Sequence, residues 1–234
     1  VLLNNDIQVE PDFLGPLMAH LEEDIVFAVG PKVLYWDRER VHCSAIRGEF
    51  RWGNLFQLWA LEDGRDTCGQ VAPTLYVGGA AMAFRRQKFH ALGGFDGLFS
   101  PFYWEETDLC YRAWRKGWIC LYEPKSVVYH KVSATVLSVL SQQQRKYYLR
   151  KHYYLFLWKN LRDRDLWLQH LLALPAWLAW ALLRGDAVEL RAFHDAVVRW
   201  SEVRKRRQRE RVAQGLSDKE ILKRARWDVV SGSV

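Results

Sequence analysis

The first 130 residues alternate short apolar runs with amphipathic stretches, and this alternation predicts strands interleaved with helices. Segment 35–73 interrupts the alternation; it is rich in charged and aromatic residues and is predicted to be a long irregular loop that covers or shapes a site. This order of elements indicates the α/β class. Strands are predicted at 1–3, 25–33, 74–84 (interrupted by Gly78 and Gly79), 118–122 and 126–129, and helices at 11–23, 85–92 and 105–116.

After residue 137 the pattern becomes helical throughout. Ser217 is followed three residues later by Glu220, a capping-box spacing that predicts where the last helix begins. The sequence therefore predicts two parts, an α/β part at 1–137 and an all-helical part at 138–234. Helices are predicted at 138–160, 166–183, 186–211 and 217–224.

Charge separates the same two parts. The 234 residues are half hydrophobic and carry 34 Lys and Arg against 27 Asp and Glu, which excludes a disordered chain. Segment 145–211 alone has 16 Lys and Arg against 7 Asp and Glu, so the rest of the chain is slightly acidic. The basic helical part indicates an anionic partner, which at this level is a membrane, a nucleic acid or a phosphorylated substrate.

The four cysteines are too widely spaced for paired metal knuckles, and a domain of this size needs no disulfide. We interpret them as reduced thiols of a protein that faces the cytosol; they are Cys43, Cys68, Cys110 and Cys120.

Segment 166–183 has no charged residue over 18 positions and is flanked by Arg164 and Arg184. A helix of this length spans about 27 Å, slightly short for a bilayer core, and Pro175 interrupts it. Three interpretations stay open: an interfacial or re-entrant helix, a helix buried on the α/β part, and a transmembrane span. Basic flanks with Trp177 and Trp180 favour a position among the headgroups of anionic lipids.

A basic run at 204–211 also attracts anions. Nucleic-acid phosphates, acidic lipid headgroups and plain solvation of a helix face all fit such a run. Nothing that resembles a base-reading helix or a stacking platform accompanies it, so a nucleic-acid partner is not favoured.

Three groups of side chains have the chemistry of a site. Asp6 follows a predicted strand, where open α/β sheets place ligand contacts, although a turn-forming or capping aspartate looks the same. Glu105 and Glu106 enter a helix together, as a general base and its neighbour would, although a salt-bridged helix surface is the alternative. His130 follows the last strand and is either a structural histidine or a metal ligand that acts with Asp6.

Read together, these motifs closely resemble family 2 glycosyltransferases of the GT-A type, including bacterial rhamnosyltransferase-like enzymes. Six landmarks carry the resemblance, in this order: Leu2-Leu3-Asn4-Asn5-Asp6 with Pro11-Asp12-Phe13-Leu14; Gly78-Gly79-Ala80-Ala81-Met82-Ala83-Phe84-Arg85-Arg86; Gly93-Gly94-Phe95-Asp96; Tyr103-Trp104-Glu105-Glu106-Thr107-Asp108-Leu109 through Arg112; Gly117; and Pro124 through His130.

The resemblance implies roles for individual residues. Asn4-Asn5-Asp6 is similar to the family's DxD motif, which makes Asp6 a ligand of Mg²⁺ or Mn²⁺, with His130 completing the metal site. Glu105-Glu106 is similar to the xED motif, which makes Glu106 the catalytic base and keeps Glu105 in contention. The remaining implied substrate-binding residues are Asn4, Gly78, Gly79, Asp96, Trp104, Asp108 and Arg112; at Gly97 the chain departs from the family, which has Glu there.

The implied activity is an inverting, metal-dependent transfer of a hexosyl or rhamnosyl group from a nucleotide-diphospho-sugar to a saccharide or lipid-linked acceptor. The implied setting is cell-envelope polysaccharide synthesis, in the cytoplasm and peripheral at the inner face of the plasma membrane.

The family's nucleotide-binding half precedes the DxD strand, whereas this sequence starts at Val1 with that strand. We expect no signal or transit peptide before it and interpret 1–137 as the metal and acceptor half of a GT-A domain. The alternative is a catalytically silent remnant or a membrane-associated interaction module that lacks donor binding.

Overall fold

The computed structural model describes residues 1–131, 140–210 and 215–228, so the predicted boundary at 137/138 and Arg211 of the basic run lie outside the described residues. The strands are β1 (Leu2–Leu3), β2 (Ile7–Val9), β3 (Val26–Tyr35), β4 (Val41–Cys43), β5 (Ile46–Arg51), β6 (Asn54–Trp59), β7 (Leu61–Glu62), β8 (Arg65–Asp66), β9 (Ala72–Pro73), β10 (Ala81–Phe84) and β11 (Ile119–His130). The helices are α1 (Leu14–His20), α2 (Arg86–Ala91), α3 (Glu105–Arg115), α4 (Gln142–Asn160), α5 (Arg164–Leu183), α6 (Ala187–Val198), α7 (Trp200–Arg209) and α8 (Asp218–Arg224).

A mixed sheet forms the centre of the α/β part. Its strand order is β1-β10-β3-β11-β2, with β4 added to β3 and β9 to β11. Only β3 and β11 run parallel among these pairs, and His130 lies beside Tyr35 where both strands end. One edge of the sheet therefore gathers the carboxyl ends of β1, β3 and β11 with the amino end of β10. The predicted class, α/β with a helical C-terminal region, is confirmed.

The prediction of an irregular loop at 35–73 is wrong, because most of this segment folds into short antiparallel hairpins. β5 pairs with β6 through Trp52-Gly53, and β7 pairs with β8 through Asp63-Gly64. Both residues of each turn have positive φ, the geometry that two-residue hairpins prefer. The Asp63-Gly64 dipeptide is a hairpin signal that was present in the sequence, although charged residues, Glu62 and Arg65, flank it.

Three further predictions need revision. The strand predicted at 74–84 is restricted to β10, and the two strands predicted at 118–129 are one strand, β11, whose register shifts between Glu123 and Val127 around Pro124. Proline has no N–H for the ladder, which accounts for the shift. The helix predicted at 186–211 is two helices that meet at Arg199.

The helical part and the sheet share one core. Phe27 of β3 and Trp114 of α3 belong to the same buried cluster as Phe156 of α4 and Ile221 of α8. Capping boxes open α4 at Ser141 with Gln144 and α8 at Ser217 with Glu220, and the second confirms the sequence prediction. Because α4 packs on α3, the helical part helps to fix the position of the side chains that α3 carries.

Helix α5 differs from its neighbours. It is 20 residues long, with a mean hydropathy of 1.5 over an 18-residue window, of which only 17% is buried. By length and composition alone it is able to cross a membrane, and within the described residues it is the one such helix. The four cysteines are all free thiols, as predicted.

Candidate active site

Glu106 lies against the backbone of Gly79. A Cβ built on Gly79 would be 2.6 Å from Glu106 Cδ and closer still to Oε1, although the backbone of Gly79 is itself unstrained. Gly79 precedes β10 and Glu106 is in the first turn of α3, so the missing side chain lets the sheet edge and the helix meet at a carboxylate. The structure thus brings together two residues that were predicted from separate motifs.

The Glu106 carboxyl is poised to hold a proton near neutral pH. Burial raises its pKa to about 8, and the charge of Glu105 contributes in the same direction. Burial raises the pKa of the adjacent Glu105 as well. Two adjacent buried carboxyls cannot easily ionise together, so Glu106 keeps its proton near neutral pH and is a strong base once that proton leaves.

The turn that leads into α3 is strained. Tyr103 and Trp104 are consecutive non-glycine residues with φ of 74° and 78°. His152 of α4 holds this turn: it is fully buried, and its Nδ1 lies 2.9 Å from the carbonyl oxygen of Phe102 and 3.2 Å from that of Tyr103. Burial lowers the pKa of His152 to about 4, so the ring is neutral and donates one N–H. Strain maintained by its surroundings is typical of functional sites.

Trp104, a predicted substrate-binding residue, turns towards α4. Its ring centroid is 5.0 Å from that of Phe156 and 5.3 Å from that of Tyr153, and its indole N–H donates to the carbonyl oxygen of Leu149 at 3.1 Å. The structure therefore gives this side chain a packing role.

Asp6 and His130 meet at the same edge of the sheet. Asp6 Oδ1 is 3.3 Å from His130 Nε2, and the Asp6 carbonyl accepts a hydrogen bond from Lys131 N. Burial lowers the pKa of His130 even though Asp6 opposes the shift, so the ring is neutral. Asn4 is exposed, and its backbone N–H donates to the carbonyl oxygen of Ala80, next to Gly79. The prediction that Asp6 and His130 act together therefore has a geometric basis.

Strand β4 lies between the Asp6–His130 pair and Gly78, and it contributes His42, a residue that no sequence motif singled out. The His42 ring lies 5.3 Å from the His130 ring, and burial, aided by His130, lowers the pKa of His42 to about 4. Its neighbour Cys43 lies under Gly78, where a Cβ would be 3.3 Å from the sulfur. No spacing pattern marks His42, because its partner is 88 positions away and the pairing of β3 with both β4 and β11 creates the contact.

The residues present fit a metal ion that is shared with a substrate. Asp6 Oδ1 is buried and makes no hydrogen bond to the described residues, and the His130 ring nitrogen that faces it, Nε2, lies 3.3 Å away. Two ligands of one ion lie about 3 Å apart, close to the separation seen here. No group of three or more His, Cys, Asp or Glu side chains able to hold a metal occurs in residues 1–131, 140–210 and 215–228. Magnesium sites that rely on one or two protein ligands and substrate phosphates have this sparse form.

Asp108, Arg112 and Asp96 were predicted to bind substrate, and the structure places them in a buried ion cluster instead. Asp108 is fully buried and accepts hydrogen bonds from Lys159 at 2.7 Å and from Arg112 and Asn160 at 2.8 Å. Burial alone would raise the pKa of Asp108, but Lys159 and Arg112 outweigh it and lower the pKa.

Asp96 completes the cluster from the other side. One of its carboxylate oxygens is 2.7 Å from Lys159 Nζ and the other is 2.8 Å from Arg206, while Asp96 also caps the 3₁₀ turn Gly97–Phe99 by accepting from Leu98 N. Lys159 is fully buried, so these carboxylates neutralise a charge that would otherwise be costly to bury. Asp108 thereby joins α3 to α4, and Asp96 joins the 3₁₀ turn to α4 and α7.

A known protein family matches the part of the sequence that contains these residues. A family model described as glycosyl transferase family group 2 matches residues 1–187, a range that contains the Glu106 site, the Asp6–His130 pair and α5. Among solved structures, that of GalNAc-T7 with UDP, GalNAc and Mn²⁺ is similar, with 19% identity and a TM-score of 0.47 over 67% of this chain and 30% of that chain. The chain thus spans less than a third of the length of that protein. Because the family model covers most of the sequence, the chain belongs to glycosyl transferase family group 2.

Proposed function

We propose that the chain is the metal and acceptor half of a GT-A glycosyltransferase, which transfers a sugar from a nucleotide-diphospho-sugar with inversion. The observation that carries the proposal is the Glu106 carboxyl, which is held against Gly79 with a pKa raised to about 8. Family membership supplies the reaction class. The Asp6–His130 pair, at the same edge of the sheet, supplies a place for the diphosphate.

Glu106 acts as the general base in this reaction. Its carboxylate takes the proton of an acceptor hydroxyl, and the acceptor oxygen forms a bond to the anomeric carbon of the donor sugar. The bond between that carbon and the diphosphate oxygen breaks on the opposite face, so the configuration inverts and the bonding electrons leave with the diphosphate. The proton stays on Glu106. Glu105 and the strained turn at 103–104 orient the base.

Asp6 and His130 would hold a divalent cation, Mg²⁺ or Mn²⁺. The bound ion supplies positive charge beside the diphosphate. Asp6 contributes an oxygen ligand and His130 a neutral ring nitrogen, a mixed set that suits an ion also bound by phosphate oxygens. Asn4, Gly78 and Gly79 line the adjoining backbone and would contact the donor sugar or the acceptor.

The wider setting belongs to the same proposal. The acceptor is a saccharide or a lipid-linked saccharide, the transferred group is hexosyl or rhamnosyl, and the process is cell-envelope polysaccharide synthesis at the cytoplasmic face of the plasma membrane. Nucleic acid is not the favoured partner, because Arg206 and Arg207 of the basic run both bond within the protein.

Release of nucleoside diphosphate from a panel of nucleotide sugars, measured with Mn²⁺ or Mg²⁺ and then with excess chelator, tests the proposal. We expect metal-dependent release, a product of inverted anomeric configuration by NMR, and loss of both in Asp6→Asn. Asp12→Asn is the matched control, because Asp12 is an exposed acid on the same N-terminal segment.

Release that persists in Asp6→Asn and in chelator would overturn the metal role. Absence of release from every donor, also in the presence of the nucleotide-binding half of a family member, would contradict the enzymatic proposal and favour a catalytically silent module.

A further inference from the structure

Helix α5 exposes an apolar surface over most of its circumference. Leu172 and Leu183 are 71% and 81% exposed. Exposed apolar patches of this extent mark contact with another phase or partner. The other exposed large apolar side chains of this helix are Leu168, Leu171, Trp177, Trp180 and Leu182.

One narrow stripe of α5 nevertheless packs against the rest of the protein along the length of the helix. Leu166, His170 and Ala181 are buried on it, at the beginning, the first third and the end of the helix. His170 Nε2 accepts a hydrogen bond from the Trp158 indole of α4, and its Nδ1–H donates to the carbonyl oxygen of Gly53 at 2.7 Å. A helix that crossed a bilayer would have to break these contacts with water-facing elements.

The tip of the β5–β6 hairpin is held against the same helix. Gly53 has a φ of +73°, and a Cβ on it would lie 2.6 Å from both Ala173 Cβ and the Gln169 carbonyl oxygen. The Trp177 indole N–H donates to the carbonyl oxygen of Trp52 at 3.1 Å. The tip therefore cannot move independently of α5.

Trp52 itself projects outward from this tip. It is 70% exposed and adopts a left-handed backbone conformation, with φ of 49°. The Arg51 guanidinium lies over its ring at 5.6 Å. A large aromatic residue held in a strained conformation, exposed, and fixed beside an apolar helix extends the surface of α5 beyond the helix.

Charge identifies the occupant of this surface. The exposed residues Arg164 and Arg184 stand at the two ends of the apolar run, and Arg51 stands beside Trp52. Arginine and tryptophan around an apolar band match the boundary between the headgroups and the acyl chains of a bilayer that contains anionic lipid. A protein partner of the same shape would need acidic groups at both ends of the helix, about 30 Å apart.

We propose that α5 and the Trp52 tip form one membrane-seating surface that lies in the plane of an anionic bilayer and does not span it. The helix, about 30 Å long, lies along the bilayer with its outer side in the acyl boundary. The inner stripe stays on the protein. This proposal rests on the proposed function, since the surface would place the Glu106 site beside a lipid-borne acceptor. Membrane binding by the surface does not depend on catalytic turnover, so it can be tested separately.

Flotation with vesicles of phosphatidylcholine, alone or mixed with phosphatidylglycerol, tests the surface. We expect recovery with the anionic vesicles, release by alkaline carbonate, and about tenfold weaker binding in Leu172→Gln and in Trp52→Asn. Asparagine is chosen at position 52 because it tolerates positive φ. Val198→Gln, at a 67% exposed position of α6, is the matched control and should float like the unchanged chain.

Each other outcome overturns a defined part of the proposal. Resistance to carbonate means a spanning helix. Equal recovery with both vesicle types removes the anionic requirement. No flotation, with a solution dimer in ultracentrifugation that Leu172→Gln dissociates, means that a second copy covers the surface. Circular dichroism of each variant shows that the fold is intact.

Glu106→Gln separates this proposal from the catalytic one. It should float unchanged, because flotation uses no donor. Loss of turnover with intact flotation contradicts only the enzymatic proposal, and intact turnover without flotation contradicts only the seating surface.

Discussion

Glu106 and Asp108 stand two residues apart on α3, and their surroundings shift their pKa values in opposite directions. Glu106 faces a second carboxyl and a glycine backbone, and its pKa rises to about 8. Asp108 faces Lys159, Arg112 and Asn160, and its pKa falls. Burial favours the neutral form of both groups, so partners decide the difference.

One helix thus carries both the proposed base and a structural acid. Glu106 has no cation among its described contacts, whereas Asp108, in the same first turn of α3, is neutralised by Lys159 and Arg112 and tied to α4. This tie holds α3 in place while the Glu106 carboxyl stays buried beside Gly79. Five experiments test this contrast, and the first four are given in order of decreasing expected effect.

Glu106→Gln should reduce turnover by about 10²–10⁴-fold, since the base is removed while the volume beside Gly79 is kept. Initial rates of nucleoside diphosphate release measure the loss. Glu22→Gln, at an exposed acid, should retain the unchanged rate. A rate in Glu106→Gln within about twofold of the unchanged enzyme would transfer the role of base to Glu105.

Asp108→Ala should lower the free energy of unfolding by about 3–5 kcal/mol, because the buried cations Lys159 and Arg112 both lose a carboxylate, at 2.7 Å and 2.8 Å. Urea denaturation measures the change, with Asp12→Ala as the exposed control. Since the pKa of Asp108 is lowered in the folded state, its contribution is present above its ordinary pKa and is lost as the pH falls. A loss below about 1 kcal/mol would show that the cluster is not structural.

Gly79→Ala should reduce turnover by about 10²-fold, because the new methyl group must displace the Glu106 carboxyl. Gly78→Ala is the matched control; its methyl group meets only the Cys43 sulfur, at 3.3 Å, so a smaller loss is expected. In a Glu106→Gln background the Gly79 substitution should cost little more. If the losses of turnover from the two substitutions were additive, Gly79 would act independently of Glu106.

The pH profile should show the smallest effect. A base with a pKa of about 8 must lose its proton, so turnover should rise about tenfold per unit up to pH 8 and then level off. In Glu105→Gln the midpoint should move to lower pH, because a neighbouring negative charge has been removed. A midpoint that does not move would show that the two carboxyls are independent.

The same shift has a stability consequence of opposite sign to that of Asp108. A carboxyl whose folded pKa is raised stabilises the protein below its ordinary pKa, and this contribution is lost as the pH rises towards 8. Glu106→Gln should therefore be more resistant to urea than the unchanged chain at pH 9, with little difference at pH 4.

Local signals in the sequence were sufficient for much of the fold. The apolar run of β3 and the Ser217–Glu220 capping box are encoded within a few residues, and both were predicted. The Asp63-Gly64 hairpin was equally local and was missed because its strands are only two residues long. Contacts across the chain were out of reach: nothing near Asp108 indicates Lys159, 51 positions later, so a structural acid was interpreted as a substrate ligand.

The β5–β6 hairpin is a spacer of fixed length. Its ladder runs from Arg51↔Asn54 at the tip to Ile46↔Trp59 at the base, five residue steps or about 17 Å. At the base, Ile46 bonds to Thr74 and Leu75, in the segment that leads to Gly78. The length of the hairpin therefore limits the distance between that segment and the proposed membrane-seating surface. Under the proposed function and the proposed seating surface, a lipid-borne acceptor would present its hydroxyl within about 17 Å of the bilayer, so the hairpin length would limit the length of the acceptor.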